Sequence, residues 1–196
     1  MIARDDITGV VLAGGLGRRM SDDGQGVDKG LQPFRGKPLV LHAIERLEPQ
    51  VATILLNANQ NLDAYRTFGW PVVTDELAGF AGPLAGLASA MQAARTPWVV
   101  TVPCDSPLFP DDLVARLAGA ADGAGARLAV ARTASGAQPV FLLAHVSLAP
   151  DLHAFLTAGR RKIDAWYAPL APAIVDFADE SAFRNINTRD ELKSLE

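Results

Sequence analysis

The sequence predicts an α/β fold of three layers, Rossmann-like, with helices covering both faces of a mostly parallel sheet. Short apolar runs alternate along the chain with segments of helical periodicity, which is typical of parallel strands buried on both faces. The chain has 196 residues, of which 49% are hydrophobic, so it can bury one full core. We therefore expect a single domain over residues 1–196.

Four apolar runs are predicted strands: residues 7–12, 53–56, 72–74 and 98–102. The first ends at glycines, and the others deliver Asn57, Asp75 and Asp105 at their carboxyl ends. Open α/β sheets bind ligands at this edge, so we expect these side chains to lie close together. The pattern thus places a candidate site at the carboxyl ends of the strands.

Helical spacing and start signals predict the remaining elements. Pro38 and Pro83 stand where a first helical residue belongs, and Pro110 opens a third helix. Thr188 is the predicted N-cap of the last helix, with Glu191 as its capping-box partner. Between them we expect strands at 128–132, 139–143 and 173–177, a turn at 135–136, and helices at 148–158 and 163–170.

Composition excludes several classes of protein. A net charge of −4 and a pI near 5.4 do not favour nucleic acid binding. Cys104 is the single cysteine, which rules out an intramolecular disulfide or a multi-cysteine zinc site. No apolar run approaches the length of a membrane span, and we expect no signal peptide, because a predicted strand already begins at residue 7. We expect a soluble, cytoplasmic protein.

A glycine-rich, cationic segment follows the first strand. It reads VVLAGGLGRRM over residues 10–20, and Lys29 follows. Glycines bring backbone N–H groups close to phosphate oxygens while Arg18, Arg19 and Lys29 supply charge, so the segment favours a nucleoside triphosphate. Met20 stands where a dinucleotide fingerprint needs a small residue, and Pro38 follows Gly36-Lys37 where a P-loop needs Ser or Thr.

The ordered motifs resemble those of nucleotidyltransferases, and most closely those of the molybdenum cofactor guanylyltransferase family. The matching segments are LAGG at 12–15, RM at 19–20, DKGL at 28–31, GKPL at 36–39, NAN at 57–59, GPLAG at 82–86, PCDSP at 103–107, AGRR at 158–161 and FRNINT at 183–188. They cover almost the whole chain. The resemblance implies a nucleotide-diphospho-sugar transferase-like fold.

The resemblance also implies roles for particular residues. Lys29, Arg19 and Asp105 would be catalytic, and Asp105 would bind Mg²⁺, for which Mn²⁺ can substitute. The nucleotide would be bound by Leu12, Ala13, Gly14, Gly15, Lys29, Asn57, Asp75 and Asp105. The molybdopterin side would be bound by Gly82, Arg160, Asn185 and Asn187. Residues 1–110 would form the nucleotide half and 111–196 the pterin half.

The implied reaction transfers GMP from GTP to the terminal phosphate of molybdopterin and releases pyrophosphate. Its partners would be these two substrates, other molybdenum cofactor biosynthesis proteins and molybdoenzyme apo-proteins. The protein itself would be a monomer or a weak oligomer. The alternatives are a cytidylyltransferase, a nucleotidyltransferase of another small phosphate, and a noncatalytic carrier of the dinucleotide. Relatives specific for cytidine commonly show LAAG, whereas this chain has LAGG.

Simpler interpretations remain open for several of these residues. Asp105 precedes Ser106-Pro107 and suits a turn or a helix cap, and Asn185 and Asn187 suit turns. Cys104 is predicted to be a small core residue. The segment between Met20 and Lys29 is longer than the family's common form, which we interpret as a mobile flap over residues 21–28.

Overall fold

A computed structural model describes residues 1–14, 27–76 and 82–194 of the chain. Its main sheet has seven strands in the spatial order β5-β4-β1-β6-β8-β7-β9. These strands are β1 (Ile7–Leu12), β4 (Thr53–Asn57), β5 (Val72–Val73), β6 (Trp98–Pro103), β7 (Leu128–Thr133), β8 (Gly136–His145) and β9 (Ala173–Asp176). A separate hairpin pairs β2 (Pro33–Phe34) with β3 (Lys37–Pro38).

The strand directions match the predicted, mostly parallel sheet. Strands β5, β4, β1 and β6 are parallel to one another, and β9 is parallel to β7. Only β8 runs antiparallel within the sheet as described, between β6 and β7. The chain leaves β1 toward β4 and later returns to β6 on the other side, so the strand order reverses at β1. Such a reversal opens a crevice at the carboxyl ends of β1 and β6.

The helices cover both faces of this sheet. They are α1 (Leu39–Leu47), α2 (Leu62–Arg66), α3 (Pro83–Ala93), α4 (Leu113–Ala124), α5 (Ala149–Thr157), α6 (Ile163–Tyr167) and α7 (Arg189–Ser194). Side chains of α1 and α4 share one core cluster with Val11, while those of α3 and α5 share the other with Val10. Alternate residues of β1 thus point into opposite cores, as the continuous apolar run predicts.

The boundaries correct some predictions. Pro38 pairs with Pro33 in the hairpin, so α1 begins at Leu39. Pro83 is the first residue of α3 as predicted, whereas the third helix begins three residues after Pro110 at Leu113. The predicted helix at 163–170 ends at Tyr167 and continues as a 3₁₀ turn. Helix α2 and the hairpin were not predicted, because they are short and lack periodicity.

The C-terminal segment is fastened beside the ends of the central strands. A small apolar cluster joins Phe34 and Leu39 to Ile186 and Leu192. The predicted capping box is present, since Glu191 N donates to Thr188 Oγ1 at 3.1 Å and Thr188 N donates to the Glu191 carboxylate at 3.1 Å. These contacts hold the segment before α7 close to the crevice. None of the helices in the described part of the chain has both the length and the apolar character that crossing a membrane requires.

Candidate active site

A cavity of about 460 Å³ lies at the carboxyl ends of β1, β4 and β6. Residues that follow the parallel strands form much of its wall, because these strands end at the same edge. Its described lining residues are Leu12, Gly14, Lys29, Asn57, Asn59, Asp75, Gly82, Pro83, Pro103, Cys104, Asp105, Val140 and Asn185. The crevice expected where the strand order reverses is therefore present as a cavity, and polar side chains form part of its wall.

Lys29 and Asp105 form an ion pair in this wall. Lys29 Nζ donates to Asp105 Oδ2 at 2.9 Å and to Asn187 Oδ1 at 2.6 Å. The two charged side chains are only 16% and 14% exposed, so water screens their charges less than it does on the open surface. This contact brings together three residues that lie far apart in the sequence, from the start, the middle and the end of the chain.

The segment that carries Asn185 and Asn187 is attached to the end of β6. Ile186 N donates to the carbonyl oxygen of Asp105 at 2.7 Å. The buried Ser106 hydroxyl donates to Asn185 Oδ1. Asn187 N donates to the Glu191 carboxylate at 2.7 Å, and this bond with that of Thr188 N holds the pKa of Glu191 below its usual value. Asn185 and Asn187 thus have a fixed relation to Asp105.

A second group of polar side chains surrounds Asp75 in the wall of the same cavity. Its two carboxylate oxygens accept from Asn57 Nδ2 at 2.9 Å and from Asn59 Nδ2 at 2.8 Å. Asp75 N donates in turn to Asn59 Oδ1 at 2.8 Å. Asn57 packs against Gly86 of α3 so closely that a Cβ there would overlap its amide. The Asp75 carboxylate is therefore held in one orientation by neutral donors.

Backbone geometry shapes the remaining rim. Gly82 caps α3 with a φ of +137°, which L side chains rarely adopt. Gly14 lies under Asn59, and a Cβ on it would come within 3.0 Å of Asn59 Nδ2. Both positions let the backbone approach the cavity more closely than a side chain would allow.

Asp105 lies in the cavity wall beside Lys29, where its carboxylate could supply one ligand to a divalent ion. The described residues contain no cluster of three or more His, Cys, Asp or Glu side chains that would hold a metal ion alone. Mg²⁺ commonly takes one or two carboxylates and completes its shell with phosphate oxygens and water. A single carboxylate at the cavity wall, beside a lysine, fits a magnesium ion that arrives with a polyphosphate.

The MobA-like NTP transferase domain matches residues 9–172. A molybdenum cofactor guanylyltransferase of Cupriavidus taiwanensis is 52% identical over 201 residues, covering 100% of this chain and 99% of the relative. One from Methylibium petroleiphilum is 54% identical over 204 residues, with coverages of 100% and 98%.

The chain belongs to the MobA-like NTP transferase family. The resemblance drawn from its motifs is thereby confirmed. The fold agrees with that of the Archaeoglobus fulgidus molybdopterin-guanine dinucleotide biosynthesis protein A, with a TM-score of 0.75 at 23% identity and 95% coverage of both chains. A Mycobacterium tuberculosis protein solved in complex with manganese superposes with a TM-score of 0.69 at 18% identity and 97% coverage of both chains.

In this member of the MobA-like family, the predicted residues gather around the cavity to different degrees. Six of the predicted nucleotide residues line it, namely Leu12, Gly14, Lys29, Asn57, Asp75 and Asp105. Ala13 is buried beneath them, and its N–H donates to the carbonyl oxygen of Asn57. Gly15 and Arg19 lie outside the described residues, as does most of the predicted flap.

The residues predicted for the pterin side divide between two places. Gly82 and Asn185 line the first cavity. Asn185 and Asn187 also line a second, more polar cavity of about 460 Å³. Arg160 is absent from the described lining of both, and its guanidinium lies 4.2 Å from the centre of the Phe155 ring.

Four features of the site were not predicted from the sequence. They are the clamp of Asn59 on Asp75, which consists of the two hydrogen bonds between them, the bond from Lys29 to Asn187, the bond from Ser106 to Asn185, and a buried network around Asp28. Asn59 and Asp28 belong to quoted motifs, yet nothing in their spacing indicates a partner. Cys104 is buried as predicted, and burial raises the pKa of its thiol, with a further contribution from the charges of Asp105 and Asp28.

Proposed function

We propose that this protein transfers GMP from GTP to the terminal phosphate of molybdopterin, releasing pyrophosphate and forming molybdopterin guanine dinucleotide. The observation that carries the proposal is identity above 50% over the full length to proteins named molybdenum cofactor guanylyltransferase. The partly buried Lys29–Asp105 pair at the strand ends supports the proposal, because the transfer needs a cation that neutralises the negative charge of the reacting phosphates.

The first cavity is the proposed GTP site. Leu12, Ala13 and Gly14 would lie along the nucleotide, while Asn57 and Asp75 would face the base. A carboxylate accepts from neighbouring N–H donors, and guanine offers two on one edge, so Asp75 suits guanine. Gly15 and Arg19 would complete the phosphate side from the glycine-rich segment.

The second cavity is the proposed site for the pterin substrate. Its described lining includes Gln138, Arg184, Asn185 and Asn187, which offer amide and guanidinium donors. Asn185 lines both cavities, so an acceptor phosphate near it would face a nucleotide in the first one. The same assignment would add Gly82, which lines the first cavity, and Arg160, which is in the described lining of neither. Residues 1–110 would then serve mainly the nucleotide, and 111–196 mainly the pterin.

The chemistry requires little proton transfer. The second pKa of a phosphate monoester is about 6, so the acceptor oxygen is largely anionic at neutral pH and needs no general base. This oxygen forms the new bond to the α-phosphorus, while the bond from the α-phosphorus to the bridging oxygen breaks and its electron pair leaves with pyrophosphate. The main barrier is repulsion, because two unit charges ~4 Å apart repel by ~4 kcal/mol at an effective dielectric of ~20.

Lys29 is the proposed neutralising cation. Its ammonium lies between Asp105 and Asn187 in the cavity wall, where it would face a phosphate of the bound nucleotide. Asp105 orients the ammonium and would hold Mg²⁺, which when bound supplies additional positive charge at the phosphates. Asn187 keeps Lys29 near the acceptor side. Positioning and electrostatics therefore account for the proposed rate enhancement.

The proposed setting follows from the same assignment. The substrates would be GTP and molybdopterin in the cytoplasm, with other molybdenum cofactor biosynthesis proteins before this step and molybdoenzyme apo-proteins after it. The protein would act as a monomer or weak oligomer. Neither a membrane nor a nucleic acid would take part.

The test is product analysis with two nucleotides. The purified protein is incubated with molybdopterin, Mg²⁺ and either GTP or CTP, and both pyrophosphate and the dinucleotide are quantified by mass spectrometry. We expect both products in equal amounts with GTP and much less with CTP. A preference for CTP, or binding of dinucleotide without pyrophosphate release, would contradict the proposal.

A further inference from the structure

The residue before Lys29 is a buried carboxylate. Asp28 is 8% exposed and caps the 3₁₀ turn Lys29–Leu31, accepting from Gly30 N at 3.2 Å. It also accepts from the Tyr65 hydroxyl at 2.5 Å and from Asn61 Nδ2 at 3.0 Å. A turn on the cavity wall is thus tied to α2 and the residue before it.

Packing holds Tyr65 in place beside Asp28. Its side chain is fully buried in α2, and its ring meets Phe68 edge to face at 6.1 Å. The hydroxyl lies so close to Gly30 that a Cβ on the glycine would overlap it. Burial and the bond to Asp28 raise the pKa of Tyr65, so the phenol remains a hydrogen-bond donor.

Among the described residues, the donors to the Asp28 carboxylate are a phenol, an amide and a backbone N–H, which are neutral groups. Burying a carboxylate is costly, and neutral donors offset that cost only when their geometry is good. An apolar side chain at this position would fill the space at lower cost. The network fixes the backbone of Lys29, whose side chain extends from the turn to Asp105 and Asn187.

We propose that Tyr65 and Asp28 are positioning residues, which hold the Lys29 turn so that its ammonium meets the transferring phosphates. The inference rests on the proposed function, since Lys29 is the cation of that reaction. Neither residue lines the cavity, so both act through Lys29. Their effect should appear in kcat rather than in KM for GTP, because Lys29 neutralises charge that develops during transfer.

The test compares Tyr65→Phe with Phe68→Leu. The first variant removes only the hydroxyl, while the second changes the ring that packs on Tyr65 just after α2 and leaves the bonds to Asp28 in place. We expect Tyr65→Phe to lower kcat about tenfold with KM for GTP within twofold, and Phe68→Leu to lower the thermal midpoint with kcat within twofold. Equal kcat losses in the two variants would overturn the proposal.

A double-mutant cycle separates positioning from general destabilisation. In a Lys29→Ala background, Tyr65→Phe should change the thermal midpoint by the same amount as it does when Lys29 is present, but should change kcat by less than twofold. A further tenfold loss of kcat in that background would overturn the proposal. Asn61→Gly provides a second variant if Tyr65→Phe folds poorly, because Asn61 has a φ of +51° that glycine adopts without strain. It should also lower kcat, by about threefold.

The closing measurement needs no catalysis. The rate at which an acylating reagent modifies the Lys29 amine is measured by peptide mass spectrometry. We expect a severalfold increase in Tyr65→Phe and in Asn61→Gly, and no change in Phe68→Leu. An unchanged rate in Tyr65→Phe would overturn the positioning role. Absence of guanylyl transfer in the unaltered protein, with the labelling increase present, would instead contradict the proposed function alone.

Discussion

Two ion pairs in this molecule have similar chemistry and different surroundings. Lys29 and Asp105 meet at 2.9 Å in the cavity wall, with side chains 16% and 14% exposed. Arg132 and Asp176 meet at 2.5 and 2.8 Å across β7 and β9, with side chains 49% and 68% exposed. The second pair has the better geometry, since its guanidinium binds both carboxylate oxygens.

The difference shows that a short distance between opposite charges does not by itself identify a functional site. The hydrogen bonds from Arg132 hold the pKa of Asp176 below its usual value, yet this pair lies in water and lines neither cavity described above. The Lys29 pair is sheltered, borders a cavity and contacts a third polar side chain. Low solvent exposure and the meeting of several polar side chains at a cavity therefore distinguish the candidate site from an exposed surface ion pair.

The strongest test of this comparison removes one cation from each pair. We expect Lys29→Ala to lower kcat for pyrophosphate release by about 10²–10³-fold. This is the usual cost of removing one preorganised hydrogen-bond donor that stabilises charge developing in the transition state. Arg132→Ala should leave kcat within twofold. Steady-state assays with GTP and molybdopterin measure both, with circular dichroism to confirm folding. A comparable loss of kcat in both variants would contradict a special role for the partly buried pair.

A second test concerns Asp75, a carboxylate at the same edge that is held by amides. Asn59→Ala removes both bonds of the clamp, so we expect the ratio of kcat/KM for GTP to that for CTP to fall about tenfold. Asp63→Asn, on the exposed side of α2, is the matched control and should not change the ratio. An unchanged ratio in Asn59→Ala would remove Asn59 from base selection.

A third test uses pH to loosen the segment that carries Asn187. Because the pKa of Glu191 is lowered in the folded protein, its bonds to Asn187 N and Thr188 N stabilise the segment above the carboxyl's ordinary pKa of about 4.3. That contribution is lost as the pH falls through the lowered value. Hydrogen exchange of these two amides, corrected for intrinsic rates, should therefore accelerate severalfold under acid.

Glu191→Gln is the control for this effect. It should show faster exchange at neutral pH and little further acceleration under acid, because the titrating carboxyl is gone. The same acid response in both proteins would mean that another group controls the segment.

The smallest expected effect concerns the exposed pair. Arg132→Ala should lower the thermal midpoint slightly in low salt, and the difference should shrink at 1 M salt, where charges are screened over about 3 Å. Differential scanning fluorimetry at two salt concentrations measures it. A large loss that persists in high salt would show that the pair has a structural role beyond its charges.

The sequence predicts the parts of the site that depend on strand ends. Asn57, Asp75 and Asp105 each follow an apolar run, and all three line the cavity. The insertion of β8 between β6 and β7 follows from tertiary pairing, which local periodicity does not encode. For the same reason the bond from Lys29 to Asn187, across 158 positions, was not predicted.

The network around Asp28 escaped prediction for a different reason. Asp28 is adjacent to Lys29 in a polar stretch and looks like a solvated turn residue, while Tyr65 lies 37 positions away in a helix too short to show periodicity. Only the fold reveals that the carboxylate is buried and bonded to the phenol. Buried polar partners of this kind need coordinates, because their signal is a contact and not a pattern.

The most direct test of the central claim is a crystal structure with GTP and Mn²⁺, in which anomalous scattering locates the metal. We expect one manganese ion at the Asp105 carboxylate, triphosphate oxygens beside Lys29, and guanine facing Asp75. A nucleotide bound in the second cavity, or a manganese ion without contact to Asp105, would contradict it.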